Sequence, residues 1–188
     1  MDRDLDFRDL DDDERRHVLE AISAGENFYG YIPEKGFAFI AQNYQALARL
    51  GMLEEVWLTA YLHTSHFNDF GLDKVKAVFD ACDRSRLQSQ GVSLSSEGPT
   101  RLTLFRGCAG PIHTFGMSWT SSLNKAIWYA AHHMSWYDLD HLAVYVAVVD
   151  QESIYCRLDH YEDEYIAYFD GAWRIDVPRA EFRLDRSR

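Results

Sequence analysis

Three short groups in the second half of the chain carry side chains able to do chemistry: Arg106-Gly107, Ser118-Trp119-Thr120 and Glu162-Asp163-Glu164. An arginine at a strand end presents a planar fork that makes two charge-assisted hydrogen bonds to a diphosphate, and a following glycine lets a flat ligand approach the backbone. Alternate residues of a strand share a face, so the hydroxyls of Ser118 and Thr120 would point together, placed to orient a carboxylate or a ribose. The same alternation would put Glu162 and Glu164 on one face as an apolar run begins. Two carboxylates so close repel, which raises the pKa of at least one if they are partly buried. One ionised carboxylate beside a second of raised pKa suits a division between charge stabilisation and general-base work. Each group also has a plain reading: a surface arginine before a turn glycine, a helix cap at Ser121 or Ser122, and an exposed acidic strand end.

Other signatures fail when tested. There is no phosphate-binding glycine loop and no dinucleotide G-x-G-x-x-G. Gly116-Met117-Ser118-Trp119-Thr120 starts like a nucleophile elbow, but Thr120 stands where the second glycine is needed for the tight turn. His63 and His66 lie one helical turn apart with Asp69 a turn later, which without a third convincing ligand reads as a polar helix face rather than a metal site. Cys108 could pair with His113 or His132 as nucleophile and base, although a lone cysteine beside small residues is usually just packed.

These groups need strands to hold them. Arg101 to Phe105, Leu142 to Val149, Tyr165 to Phe169, Trp173 to Val177 and Phe182 to Leu184 read as strands, and Leu123 to about Met134 as an aromatic-rich helix. The first half reads as helical. Asp11 to Asp13 offer caps for a helix to about Ser23, and helical spacing continues over Phe37 to Leu50, Met52 to about Phe67 and Leu72 to about Cys82. Asp83 to Thr100 is polar, with Ser, Gly and Pro, and reads as a linker or long surface loop. The expected class is therefore α+β: a helical region over 1–100 with an acidic leader, and a sheet-dominated catalytic region over 101–188, together one compact domain.

Composition narrows the function. With 47% hydrophobic and 26% charged residues in 188, the chain is globular, and at this size roughly 70% of the unfolded surface is buried without a disulfide or metal staple. Cys82, Cys108 and Cys156 are odd in number and show no paired spacing, so neither a disulfide framework nor a zinc site is expected. The net charge of −11 has the wrong sign for a dedicated duplex-binding protein. More than half of it comes from the segment Met1 to Glu14, where eight acids face only Arg3 and Arg8, and it reads as a solvated leader plus helix N-terminal acids. No apolar run approaches a membrane span and the N-terminus is unlike a signal peptide, so the expectation is a cytoplasmic protein without a membrane partner, in its own or a target cell.

The order Arg-Gly, then Ser-x-Thr followed by a helix with Ala126 and Tyr129-Ala130, then Glu-x-Glu opening a strand, resembles the Arg-Ser-Glu class of ADP-ribosyltransferases over roughly Arg101 to Leu184. The resemblance implies a split β-sheet with NAD, as substrate, in a central cleft. It implies that Arg106 holds a phosphate of NAD and that Gly107 offers backbone contacts to the nicotinamide amide. Ser118 would orient the catalytic glutamate and touch the nicotinamide ribose, with Thr120 in support. Glu164 would bind the ribose hydroxyl and stabilise positive charge as nicotinamide leaves, while Glu162 would position or deprotonate the acceptor. The expected activity is mono-ADP-ribosyl transfer to a protein side chain, arginine first, with an inhibitory or accessory protein as a further partner. Transfer to a nucleic acid, hydrolysis of NAD at the same site, and a non-catalytic interaction module that keeps the fold are the alternatives. The chain departs from the class pattern in a short interval between Arg106 and Ser118 and in Trp119 and Thr120, which replace the commoner Thr and Ser.

Overall fold

A computed structural model of the chain describes residues 4–64, 70–92, 94, 100–109, 116–137, 142–159, 163–169 and 171–175, with 136 and 137 by backbone alone. The architecture is α+β: helices fill the N-terminal half, and a six-stranded antiparallel sheet follows. The chain divides into two compact units, Met1–Gln90 and Gly91–Arg188. No helix among the described residues is long and apolar enough to cross a membrane.

The first unit holds α1 (Asp12–Ala24), α2 (Gly36–Leu50), α3 (Leu53–His63), α4 (Leu72–Ala81) and α5 (Arg84–Ser89). Asp11 caps α1, accepting from the amides of Asp13 and Glu14 at 3.0 and 2.9 Å while the Glu14 carboxylate accepts from the Asp11 amide. This reciprocal cap explains part of the acidic leader. The rest is not simply solvated. Phe7 is buried 5.4 Å from the Phe39 ring, and buried Asn43 holds both the amide and the carbonyl of Asp6. Helix α1 ends at Gly25 and α2 at Gly51, each in the left-handed conformation that only glycine adopts at little cost. Trp57 is fully buried at the centre, tilted against Phe37 at 4.8 Å and edge-on to Phe79.

The polar stretch after Asp83 differs from its expected loop character, because it contains α5. A single fully buried side chain, Leu87, anchors this helix, and its start is fixed by the Asp83 carboxylate accepting from the Arg86 amide and by buried Glu54 accepting from the Asp83 amide. One apolar residue sets no periodicity, so the sequence pattern carries no sign of the helix. Helix α3 stops at His63, short of the expected Phe67, and residues 65–69 lie outside the described set.

The second unit consists of β1 (Arg101–Ala109), β2 (Ser118–Thr120), α6 (Leu123–Tyr137), β3 (Leu142–Asp150), β4 (Ile154–Leu158), β5 (Glu164–Ala167) and β6 (Trp173–Ile175). The sheet order is β4-β5-β2-β1-β3-β6. Strand β4 was not among the expected strands: its burial does not alternate and a bulge falls between Ile154 and Cys156, so it lacks the period-two pattern. The expected strand Phe182 to Leu184, and the end of the expected strand at Val177, lie outside the described residues.

Pairing is uneven across the sheet. Strands β1 and β3 run opposite each other from Arg101↔Asp150 to Ala109↔Leu142, and β2 meets β5 at Ser118↔Ile166, Trp119↔Tyr165 and Thr120↔Glu164. Between β1 and β2 there is a single register position among the described residues, Phe105↔Thr120. Among the described residues, the strands β4-β5-β2 and β1-β3-β6 of this one sheet therefore meet at that single position. Leu104, Trp119, Ala147, Val149, Ile154, Tyr165 and Ala167 form a core on one side of the sheet, and Ala126 and Ala130 of α6 pack with Val144 on the other.

Helix α6 is aromatic-rich, as expected, but Trp128 does not lie on its core face: it is 47% exposed and stacks on His132, with ring centroids 4.9 Å apart and planes within 9°. The buried face is made of alanines one helical turn apart, which let α6 lie close on β1.

Candidate active site

The narrow junction between β1 and β2 gathers most of the sequence-predicted residues. Directly opposed residues of an antiparallel ladder point to the same side. Thr120 opposes both Phe105 and Glu164, and Glu164 in turn opposes Leu158 of β4. Glu164, Thr120 and, two residues along β2, Ser118 therefore share one face on adjacent strands. This is the face on which Ser118 and Thr120 were expected to lie together.

Arg106 enters from the other face. It is two residues from Leu104, so its Cβ lies on the side of the Leu104, Trp119 and Tyr165 core. Its guanidinium reaches the mouth of the junction, where one terminal nitrogen donates to the Ser118 carbonyl at 2.7 Å. Gly116 explains how it fits there. A Cβ on Gly116 would overlap the guanidinium, with Cζ only 2.6 Å away. The guanidinium of Arg106 thus lies against bare backbone and is tied to β2.

Gly107 has a packing role that the sequence reading did not include. A Cβ there would overlap the Ala126 carbonyl oxygen and lie 2.8 Å from the Ala130 nitrogen, both in the backbone of α6. The glycine is required for helix α6 to approach the strand. Thr120 and Ser122 also do local work: the Thr120 hydroxyl accepts from the Ser122 amide at 3.2 Å, and the Ser122 hydroxyl accepts from the Lys125 amide at 3.3 Å in the first turn of α6. The cap is therefore Ser122, leaving Ser121 for another partner.

That partner is Asp163. The Ser121 hydroxyl donates to one Asp163 carboxylate oxygen, and Arg157 of β4 donates to the other from Nε at 2.8 Å and lies 2.7 Å from it through Nη2. Asp163 has φ 51°, the left-handed region, which Asp tolerates better than most residues because its short polar side chain bonds locally. Strand β5 begins one residue later, so period-two alternation does not extend back through Asp163 to Glu162. Glu162 itself lies outside the described residues. Sequence reasoning gave Arg157 and Asp163 no role, and met Gly116 only in a failed nucleophile elbow and Ser121 only as a possible helix cap; the one signal for the Asp163 contacts was the acid between the two glutamates.

Electrostatics single out Cys156 as a neighbour of Glu164. Burial, and then the charge of Glu164, push its thiol up to about 12. A thiol raised on folding from an ordinary 9.0 favours the folded state below pH 9, and that contribution is lost as pH climbs from 9 toward 12. Stability to urea is expected to fall across that window, and iodoacetamide at pH 8 should leave Cys156 unmodified until the protein unfolds. Alkylation of folded protein at the rate of an exposed thiol would contradict this placement. Burial also raises the thiol of Cys108 and, together with the Asp163 charge, the phenol of Tyr165. A buried thiol with a raised pKa is a poor nucleophile, which removes the chemical basis for Cys108 as one. His66, Asp69 and His113 are outside the described residues, among which no group of three or more His, Cys, Asp or Glu could hold a metal ion.

Compared with known proteins, the chain matches no protein-family model, no curated protein and no solved structure.

Proposed function

We propose that this protein is an NAD-dependent mono-ADP-ribosyltransferase with a split-sheet fold of that class, acting on a protein side chain, arginine first. The observation that carries the reading is the junction of β1 and β2. Around the register pair Phe105↔Thr120 stand Ser118 and Thr120, Glu164 one strand away on the same face, and the guanidinium of Arg106 arriving from the opposite face, in the chain order that the class requires.

The donor types fit NAD. A guanidinium lying on the bare backbone of Gly116 has the planar donor fork that suits a diphosphate, and the Gly107 peptide lies one residue on for the nicotinamide amide. When bound, NAD supplies an N-glycosidic bond whose cleavage leaves positive charge on the ribose. Arg106 holds the diphosphate. Ser118 and Thr120 hold the Glu164 carboxylate in place, and a fixed carboxylate beside a developing cation stabilises the transition state more than the ground state. Glu162 takes the acceptor's proton. When water is the acceptor, the same residues hydrolyse NAD.

One observation favours the non-catalytic module: Gly107, Thr120 and Ser122 each have a structural task of their own. Calorimetric titration with NAD, followed by assay of nicotinamide release and of label transfer to lysate protein, separates the readings. The enzyme should bind NAD and release nicotinamide; no binding at millimolar NAD supports the module. Gly116→Ala is a sharper probe, because its methyl collides with a guanidinium that can move rather than with backbone. Melting temperature should change little while NAD affinity falls about 10-fold, the scale of one charge-assisted hydrogen bond.

A further inference from the structure

We infer that Asp163, the middle residue of Glu-x-Glu, is a positioning residue that latches Glu164 to the Ser-x-Thr segment; this rests on the transferase reading of the site. Strand β5 lies between β4 and β2, and the Asp163 carboxylate is bonded to a residue of each flank: Arg157 within β4, and Ser121 immediately after β2. Because Glu164 is the next residue, the latch fixes the point at which β5 begins. A slip of one residue there would turn every side chain of the strand over, moving the Glu164 carboxylate away from Thr120 and Ser118.

The residue's conformation agrees with this role. A non-glycine residue at φ 51° persists only where its surroundings over-determine it, and two neighbouring segments bonded to one carboxylate do so. Arg157 is itself held in place, with its guanidinium 5.4 Å from the centre of the Tyr165 ring next along β5. By strand alternation and register, Tyr165 and its partner Arg157 lie on the face opposite Glu164, and Asp163 is tied to that face by its bonds to Arg157. The latch therefore acts through the backbone and does not touch the reacting atoms.

Asp163→Gly separates the latch from the turn, since glycine keeps the left-handed backbone and loses both bonds. With NAD, the variant should lose about 10- to 100-fold in nicotinamide release at saturation, the scale of a misplaced catalytic group, while its affinity for NAD by calorimetry stays within about two-fold. Ser121→Ala, a mild surface change, should lose rate in the wild-type background and lose nothing further in Asp163→Gly, because both remove the same bond. Full rate in Asp163→Gly, or additive losses in the pair, overturns the latch. Amide hydrogen exchange at Glu164 and Tyr165 gives a readout that needs no activity: it should quicken at least about 10-fold in Asp163→Gly at unchanged melting temperature. If the wild type neither binds NAD nor releases nicotinamide, the transferase reading fails and exchange still decides the latch, unchanged protection overturning it.

Discussion

Glu164→Gln is expected to lower nicotinamide release by about 10³-fold while leaving the melting temperature and the affinity for NAD nearly unchanged. The substitution keeps the shape and removes the charge. In the proposed reaction the carboxylate faces a cation that exists only in the transition state, so its loss should appear in kcat rather than in binding. The magnitude is that of removing one pre-organised electrostatic group from a transition state. The fold should survive, because Glu164 is at the first position of β5 and its backbone pairing with Thr120 and Leu158 does not depend on the side chain. A second readout comes from its neighbour. Since Glu164 charge is one cause of the raised Cys156 thiol, that thiol should titrate lower in the variant, though burial keeps it above its ordinary value. Undiminished release of nicotinamide by Glu164→Gln would remove this residue from the mechanism.

The largest effect on stability is expected from Gly107→Val. At Gly116 the obstacle to a side chain is the tip of an arginine, but at Gly107 it is the peptide backbone of α6 at Ala126 and Ala130. Neither alanine has side-chain bulk to give up, and both are fully buried. The helix would have to lift from β1 as a body, opening its contact with Val144 as well. Overpacking a core costs typically 1–3 kcal/mol, and a backbone obstacle puts this case at about 3 kcal/mol or above. That corresponds to a fall in melting temperature of about 6–12 °C for a chain of this size. Gly30→Ala is the control: a Cβ there meets nothing within 4 Å, and its change in urea stability should stay within about 0.5 kcal/mol. If Gly107→Val is equally mild, the close packing of α6 on β1 is incorrect.

What the sequence reveals of this fold follows from how each element announces itself. Helices α1 to α4 and α6 present repeating apolar or cap signals, and they fall within a few residues of the expected bounds. Helix α5 depends on Leu87 and on hydrogen bonds to Asp83, and neither leaves a period. Strand β4 hides for the reason given by its bulge, and with it went Arg157, whose importance is visible only once Asp163 is seen beside it. The shared face of Ser118 and Thr120 was legible because β2 alternates regularly. The alternation expected across Glu162-Asp163-Glu164 presumes an extended chain, and Asp163 turns left-handed. Gly107 shows the opposite limit: the residue stood out in the sequence, but its packing partner is a helix some twenty positions onward that no local pattern connects to it.

The single register pair between β1 and β2 among the described residues makes the centre of the sheet its most compliant joint. Twisting β2 against β1 there disturbs one or two backbone hydrogen bonds, about 0.5–1.5 kcal/mol each, whereas bending the long β1–β3 ladder would disturb many more. Arg106 crosses this joint as a strut, rooted in β1 and bonded to the Ser118 carbonyl. Under the proposed function, a phosphate that drew its guanidinium away from that carbonyl would loosen the joint at the moment of binding, coupling phosphate capture to the angle between β1 and β2.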